Sequence, residues 1–137
     1  MKRKILLSIC LLLTGCIMDY YDHRMVVVNN SQVRIAVEVL NDTTKRTANE
    51  IAYYLSNTIA PRDTSFITKA GKNAWPEYAE DGKDKTLYIY FFDADSLSKY
   101  QKGGADMNYL LGNRKYLKRL DCSFKELTRT NWKIEYR

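Results

Sequence analysis

Four groups of residues have types and spacings suited to chemistry. Asp93 and Asp95 stand one residue apart after the run Leu87-Tyr88-Ile89-Tyr90-Phe91-Phe92. Two carboxylates so close together after a run that reads as a buried strand could share nucleophilic and acid–base work. Asp22 and His23 are adjacent, and an acid beside a histidine orients a general base. Asp81-Gly82-Lys83-Asp84 places two carboxylates about a turn, as a Ca²⁺ loop does. Tyr53, Tyr54, Trp75 and Tyr78 offer rings that, if exposed, would stack on sugar faces.

Each group also has a reading without chemistry. Phe91-Phe92-Asp93-Ala94-Asp95-Ser96-Leu97 resembles the nucleophile motif of haloacid-dehalogenase-type phosphatases. That fold continues as a doubly wound sheet, and the residues after Leu97 do not alternate as βαβ units. Asp93 as a helix N-cap, with Asp95 favoured by the helix dipole, accounts for the pair. No Ser or Cys near the Asp22-His23 pair sits in a turn that would present it as a nucleophile. The 81–84 turn lacks the alternating oxygen ligands and distal Glu of an EF-hand. The aromatic group reads equally as core or edge-strand side chains. There is one His, no Cys-x-x-Cys and no Gly-rich phosphate loop. The sequence therefore predicts no catalytic residues, no metal and no cofactor.

Composition bounds the rest. The chain has 137 residues, 45% hydrophobic and 28% charged, with six Gly and two Pro. That describes one globular domain. Eleven tyrosines favour β structure. Lys2, Arg3 and Lys4 open the chain, followed by the apolar run 5–13 and Thr14-Gly15-Cys16. The run is short of the ~20 residues that span a bilayer as a helix, and it fits a secretory signal. Leu13-Thr14-Gly15-Cys16 is similar to a bacterial lipobox. The resemblance implies cleavage between Gly15 and Cys16 and acylation of the Cys16 thiol. One acyl chain holds a protein to a membrane reversibly, and two or more hold it stably. Residues 1–15 are thus read as a lipoprotein signal peptide, 16–23 as lipidated Cys and tether, and 24–137 as a single β-rich domain.

Removing three of the 22 basic residues and none of the 16 acidic ones leaves a net charge of +3. So mild a charge does not point to nucleic acid. Arg114, Lys115, Lys118 and Arg119 form a basic patch, read as the solvated face of a strand. Cys10 leaves with the signal, and only Cys122 remains beyond Cys16. Cys122 is read as a small buried hydrophobe.

The elements that would position these residues follow from periodicity. Residues 25–28 read as a strand and Asn29-Asn30-Ser31 as a turn. Val33, Ile35, Val37 and Val39 then alternate as a second strand, so a hairpin is expected. Residues 51–59 lean to strand, ended by Pro61, and 64–68 to strand. Residues 70–85 read as a polar loop. The run 87–92 is apolar at every position, as a strand covered on both faces would be. Residues 94–101 read as a helix capped by Asp93, and 116–122 as a strand. Ser123 and Glu126 match a capping box. Trp132, Ile134 and Tyr136 alternate with polar residues in a last strand. Together these predict a mainly β fold: a small antiparallel, Ig-like β-sandwich with two short helices. The alternative is an α+β fold with the helices on one sheet face.

The lipobox, Val27-Val28-Asn29-Asn30-Ser31, the stretch 88–97, and 117–127 leading to Asn131-Trp132-Lys133-Ile134-Glu135-Tyr136 resemble a group of small lipoproteins from Bacteroidales. The resemblance implies lipid anchoring in the outer membrane, facing either the periplasm or the surface, and brings no activity with it. Surface lipoproteins of these bacteria carry acidic residues after the lipid Cys, and Asp19 and Asp22 stand there. Asp42-Thr43-Thr44 and Asp95-Ser96-Leu97 are similar to the O-glycosylation motif of that phylum, making Thr43 and Ser96 candidate acceptors. The expectation is a non-enzymatic outer-envelope lipoprotein that binds an envelope protein partner. The alternative is a surface glycan-binding lipoprotein using Tyr53, Tyr54, Trp75 and Tyr78.

Overall fold

The computed structural model describes residues 20–137. The signal 1–15, the cleavage pair Gly15 and Cys16, and Asp19 lie outside the described residues. The apolar run forms β4 (Thr86–Asp93), the middle strand of a three-stranded antiparallel sheet. Its neighbours are β2 (Ile35–Leu40) and β5 (Lys118–Ser123). A second sheet has β1 (Tyr21–Asn29) in the middle, antiparallel to β3 (Thr64–Ala70) and parallel to β6 (Lys133–Tyr136). Five short helices complete the described residues: α1 (Ile51–Ser56), α2 (Ala74–Glu80), α3 (Ala94–Lys102), α4 (Met107–Gly112) and α5 (Phe124–Arg129).

Strand periodicity sorts these elements into layers. Leu87, Ile89 and Phe91 point to one side of β4 and meet Val37 and Val39 of β2, Met25 and Val27 of β1, and Ile134 and Tyr136 of β6. That core lies between the sheets. Tyr90 and Phe92 point to the other side and meet Ile51, Tyr54, Leu97, Met107 and Leu110 from α1, α3 and α4. The order is therefore sheet, sheet, helices, with β4 covered on both faces. Helices α2 and α5 add Trp75, Ala79 and Leu127 to the inter-sheet core.

The fold is mixed α+β, and it departs from an all-antiparallel Ig-like sandwich in the parallel β1–β6 pair and the helical layer. The expected hairpin is absent: β1 and β2 belong to different sheets. The cause is Asn29, which is fully buried. Its Nδ2 donates to the carbonyls of Val33, Ile59 and Ala60 at 2.8–3.1 Å, and its Oδ1 accepts from the Ser31 N–H and hydroxyl. The chain is thereby tied to the 59–60 segment and turned across the core. Residues 51–56 are helix, since Ile51, Tyr54 and Leu55 pack toward the core at helical spacing. Residues 74–80 are also helix, and Pro76 is tolerated there because it lies in the first turn. Residues 21–23, expected in the tether, belong to β1.

Two local devices hold difficult backbone. Gly71 (φ 118°) makes the turn after β3, and its N–H donates to the Tyr20 carbonyl at 2.7 Å. Asn131 and Trp132 are both left-handed (φ 51° and 61°), an uncommon conformation for an aromatic residue. The Trp132 N–H closes the end of α5 on the Leu127 carbonyl at 2.7 Å, and its ring is buried. The capping box of Ser123 and Glu126 forms in full.

Asp22 anchors the N-terminal end of β1. Asp22 is 5% exposed. It accepts from the Trp75 N–H at 3.0 Å, and from the Arg24 N–H and guanidinium at 3.1 and 2.9 Å. Burial pushes its pKa up, but these three donors outweigh burial and hold the carboxyl below its ordinary value. A depressed folded-state pKa contributes stability that is complete above the unfolded value and fades as pH falls through the folded one. Asp22→Asn should cost about 1.5–3 kcal/mol near neutral pH, the worth of hydrogen bonds to a charged group. In urea unfolding series, the gap to the native sequence should narrow below about pH 4.

Candidate functional site

The carboxylates singled out by spacing are committed to the fold. Asp93 caps α3: its Oδ1 accepts the Ser96 N–H at 2.7 Å. Asp95 is exposed and pairs with Arg34 at 3.1 Å. Asp22 binds Trp75 and Arg24 rather than His23, whose exposed ring lies between Tyr21 and Phe66. Asp84 lies in the short 3₁₀ turn Lys83–Lys85 with φ 57°. Among the described residues no group of three or more His, Cys, Asp or Glu is placed to hold a metal ion.

The four aromatic residues do not form a stacking platform. Tyr54 and Trp75 are 2% and 3% exposed. Trp75 lies in the inter-sheet core and donates its indole N–H to the Ile67 carbonyl at 2.8 Å. Tyr78 is half-buried, and Lys69 Nζ sits 3.8 Å above its ring centre, occupying the face a sugar would need. Only Tyr53 of the four is exposed. Tyr54 works from inside: its hydroxyl donates to the buried Glu38 carboxylate. Burial, then the Glu38 charge beside it, pushes the Tyr54 phenol well above its ordinary value. Glu38 also accepts the Val39 N–H at 2.8 Å. Val39 lies on the strand that borders its sheet, so Glu38 and Tyr54 protect an edge.

Thr43 is exposed in the loop after β2, with Thr44 tied to Asp42 at 2.7–2.8 Å. Ser96 is half-buried in the first turn of α3. Cys122 is half-buried on β5. Burial, with Glu126 and Asp121 nearby, pushes its thiol up to about 11.

A broad concavity lies on the helical layer, where the loop 41–50 meets α3 and α4. Three adjoining depressions of about 430, 430 and 340 Å³ share Asp106. Two of them share Tyr109, which is 51% exposed. The floor includes Leu40 and Tyr90, and the walls bring Lys45, Arg46 and Lys99. The frame is rigid by hydrogen bonding. Asn108 grips Thr47 through both backbone groups, at 3.0 and 3.2 Å, and Asp106 caps α4 on the Tyr109 N–H at 2.7 Å. An exposed ring beside the Arg46 guanidinium and the Lys99 ammonium suits a polar ligand with an apolar face. Sequence reading missed this groove because α4 was not recognised. Its signal was Asp106 followed by Met107, Leu110 and Leu111 at helical spacing.

Comparison with protein-family models, curated proteins and solved structures found no match.

A thiol so raised is almost wholly protonated near neutral pH. Cys122 should react with iodoacetamide on the order of 100-fold more slowly than free cysteine at about pH 7.5. The rate should climb with pH toward about 11, and Glu126→Gln should raise it at fixed pH by removing one of the two nearby charges.

Proposed function

We propose that this chain is a non-catalytic lipoprotein of the outer envelope, held by lipid on Cys16, that acts as a binding or accessory module of an envelope protein complex. The reading rests on the lipobox-like start and on the likeness to small Bacteroidales lipoproteins. The observation that carries it is the groove around Asp106 and Tyr109: a preformed, hydrogen-bond-framed concavity on the helical layer. The two facing sheets serve as a small sandwich that holds this layer rigid. No helix among the described residues is long and apolar enough to cross a membrane. Asp93 and Asp95 are given no catalytic part, since capping and ion pairing occupy them.

A second reading shares the groove. The exposed Tyr109 ring with Arg46 and Lys99 around it suits a surface glycan. This moves glycan binding away from Tyr53, Tyr54, Trp75 and Tyr78.

The test is an affinity pull-down of the tagged, acylated protein from mildly crosslinked native envelopes, with Cys16→Ala and Tyr109→Ala as comparisons. One envelope protein should be recovered with the acylated form. Tyr109→Ala should cut recovery about tenfold, which corresponds to ~1.4 kcal/mol. Competition by envelope polysaccharide would establish the second reading. Recovery that Tyr109→Ala leaves unchanged would take the groove out of the function.

A further inference from the structure

The face opposite the groove is the outer side of the β3–β1–β6 sheet, and among the described residues no helix lies over it in the order sheet, sheet, helices. Seven large hydrophobic side chains stand exposed among the described residues, and two of them lie on this face: Tyr21 at 52% and Phe66 at 60%. They form a continuous strip. The Tyr21 and His23 rings are 6.4 Å apart, and so are the His23 and Phe66 rings. Val26, half-buried, pairs with Phe66 across the strands. A bulge between Asp22 and Met25 keeps Asp22 inward while His23 is exposed. Lys72 is exposed at the same end, next to the Gly71 that bonds Tyr20. Tyr21 and His23, rings with an apolar body and a polar edge, beside the wholly apolar Phe66 and a cation, are a composition suited to a lipid headgroup layer.

Covalent reach decides what lies against this strip. Four residue steps separate Cys16 from Tyr20. An extended chain spans at most ~3.6 Å per residue, so Tyr20 stands within about 14 Å of the Cys16 backbone. Headgroups would then be the surface nearest to Tyr20 and Tyr21, while Tyr109 lies two layers away, on the order of 20 Å at ~10 Å per layer. Resting on the anchored reading above, we infer that the Tyr21, His23 and Phe66 strip lies on the headgroup region of the membrane holding the Cys16 lipid. This fixes the domain's orientation and turns the Tyr109 groove outward.

The experiment uses the full acylated protein in phosphatidylethanolamine/phosphatidylglycerol vesicles, with and without brominated acyl chains. Phe66→Trp and Tyr109→Trp report the two faces. Trp75 and Trp132 are buried and are subtracted with the unsubstituted protein. Co-sedimentation and the mass of Cys16 report anchoring separately. The expected result is a blue-shifted Phe66→Trp emission, quenched by brominated lipid several-fold more strongly than Tyr109→Trp. Retained co-sedimentation with equal or no quenching at the two positions overturns the orientation while leaving the anchor in place. Concentration-dependent burial of Phe66→Trp without vesicles overturns it in favour of a second copy on the face. An unacylated Cys16 that fails to co-sediment removes the anchored reading, and this inference with it.

Discussion

Two-sided burial of β4 is the constraint on which the other elements depend. A strand alternates its side chains, so covering both faces requires a layer on each. Leu87, Ile89 and Phe91 call for the second sheet, and Tyr90 and Phe92 for α1, α3 and α4. A one-residue slip would exchange the two sets and put the Tyr90 hydroxyl into the inter-sheet core. Both antiparallel neighbours of β4 hold its register across six residue pairs each.

Buried polar side chains then decide where the chain changes layer. Asn29 turns it from one sheet to the other. Asn41, at the end of β2, donates to the Tyr78 carbonyl at 3.0 Å, and its own backbone carbonyl accepts the Lys83 N–H at 3.3 Å. Asp22 joins the start of β1 to α2. None of the buried side-chain nitrogen and oxygen atoms described lacks a hydrogen-bond partner. A buried polar group without a partner costs about 1–3 kcal/mol, so each of these residues specifies one route for the chain. The residues most suggestive of chemistry in the sequence, Asp22, Asp93 and Tyr54, are occupied in this way.

The two outer faces of the molecule differ in kind. The helical layer presents a concave, charged and hydroxyl-rich groove. The far sheet presents a flat strip of rings beside the point where the chain leaves toward Cys16. If the strip lies on a membrane, the groove faces away from it, and a partner could reach Tyr109 without displacing lipid. The proposed anchor, orientation and binding surface therefore form one arrangement whose parts are separately measurable.

Local chemistry made part of this legible from the sequence alone. The Asp93 cap, the Ser123–Glu126 capping box, the doubly apolar β4 and the alternation of Trp132, Ile134 and Tyr136 each depend on residues within a few positions of one another. They appear as the sequence predicts, except that the last strand begins at Lys133 and Trp132 stands before it in a left-handed turn. Pairing across the chain was not legible. Period-2 alternation in β1 and β2 is the same for a hairpin and for two strands in facing sheets, and the difference rests on Asn29 reaching residues 59–60. Tyr53 and Tyr54 read as strand by propensity, but Tyr54 reaches Glu38 only from a helix lying over β2. Whether Trp75 meets a sugar or the core depends on what covers it, and the cover comes from residues distant in sequence. The sequence by itself determined the elements and caps that short-range contacts decide. Tertiary structure alone decided which faces are buried, and so which aromatic residues are left to meet a ligand or a membrane.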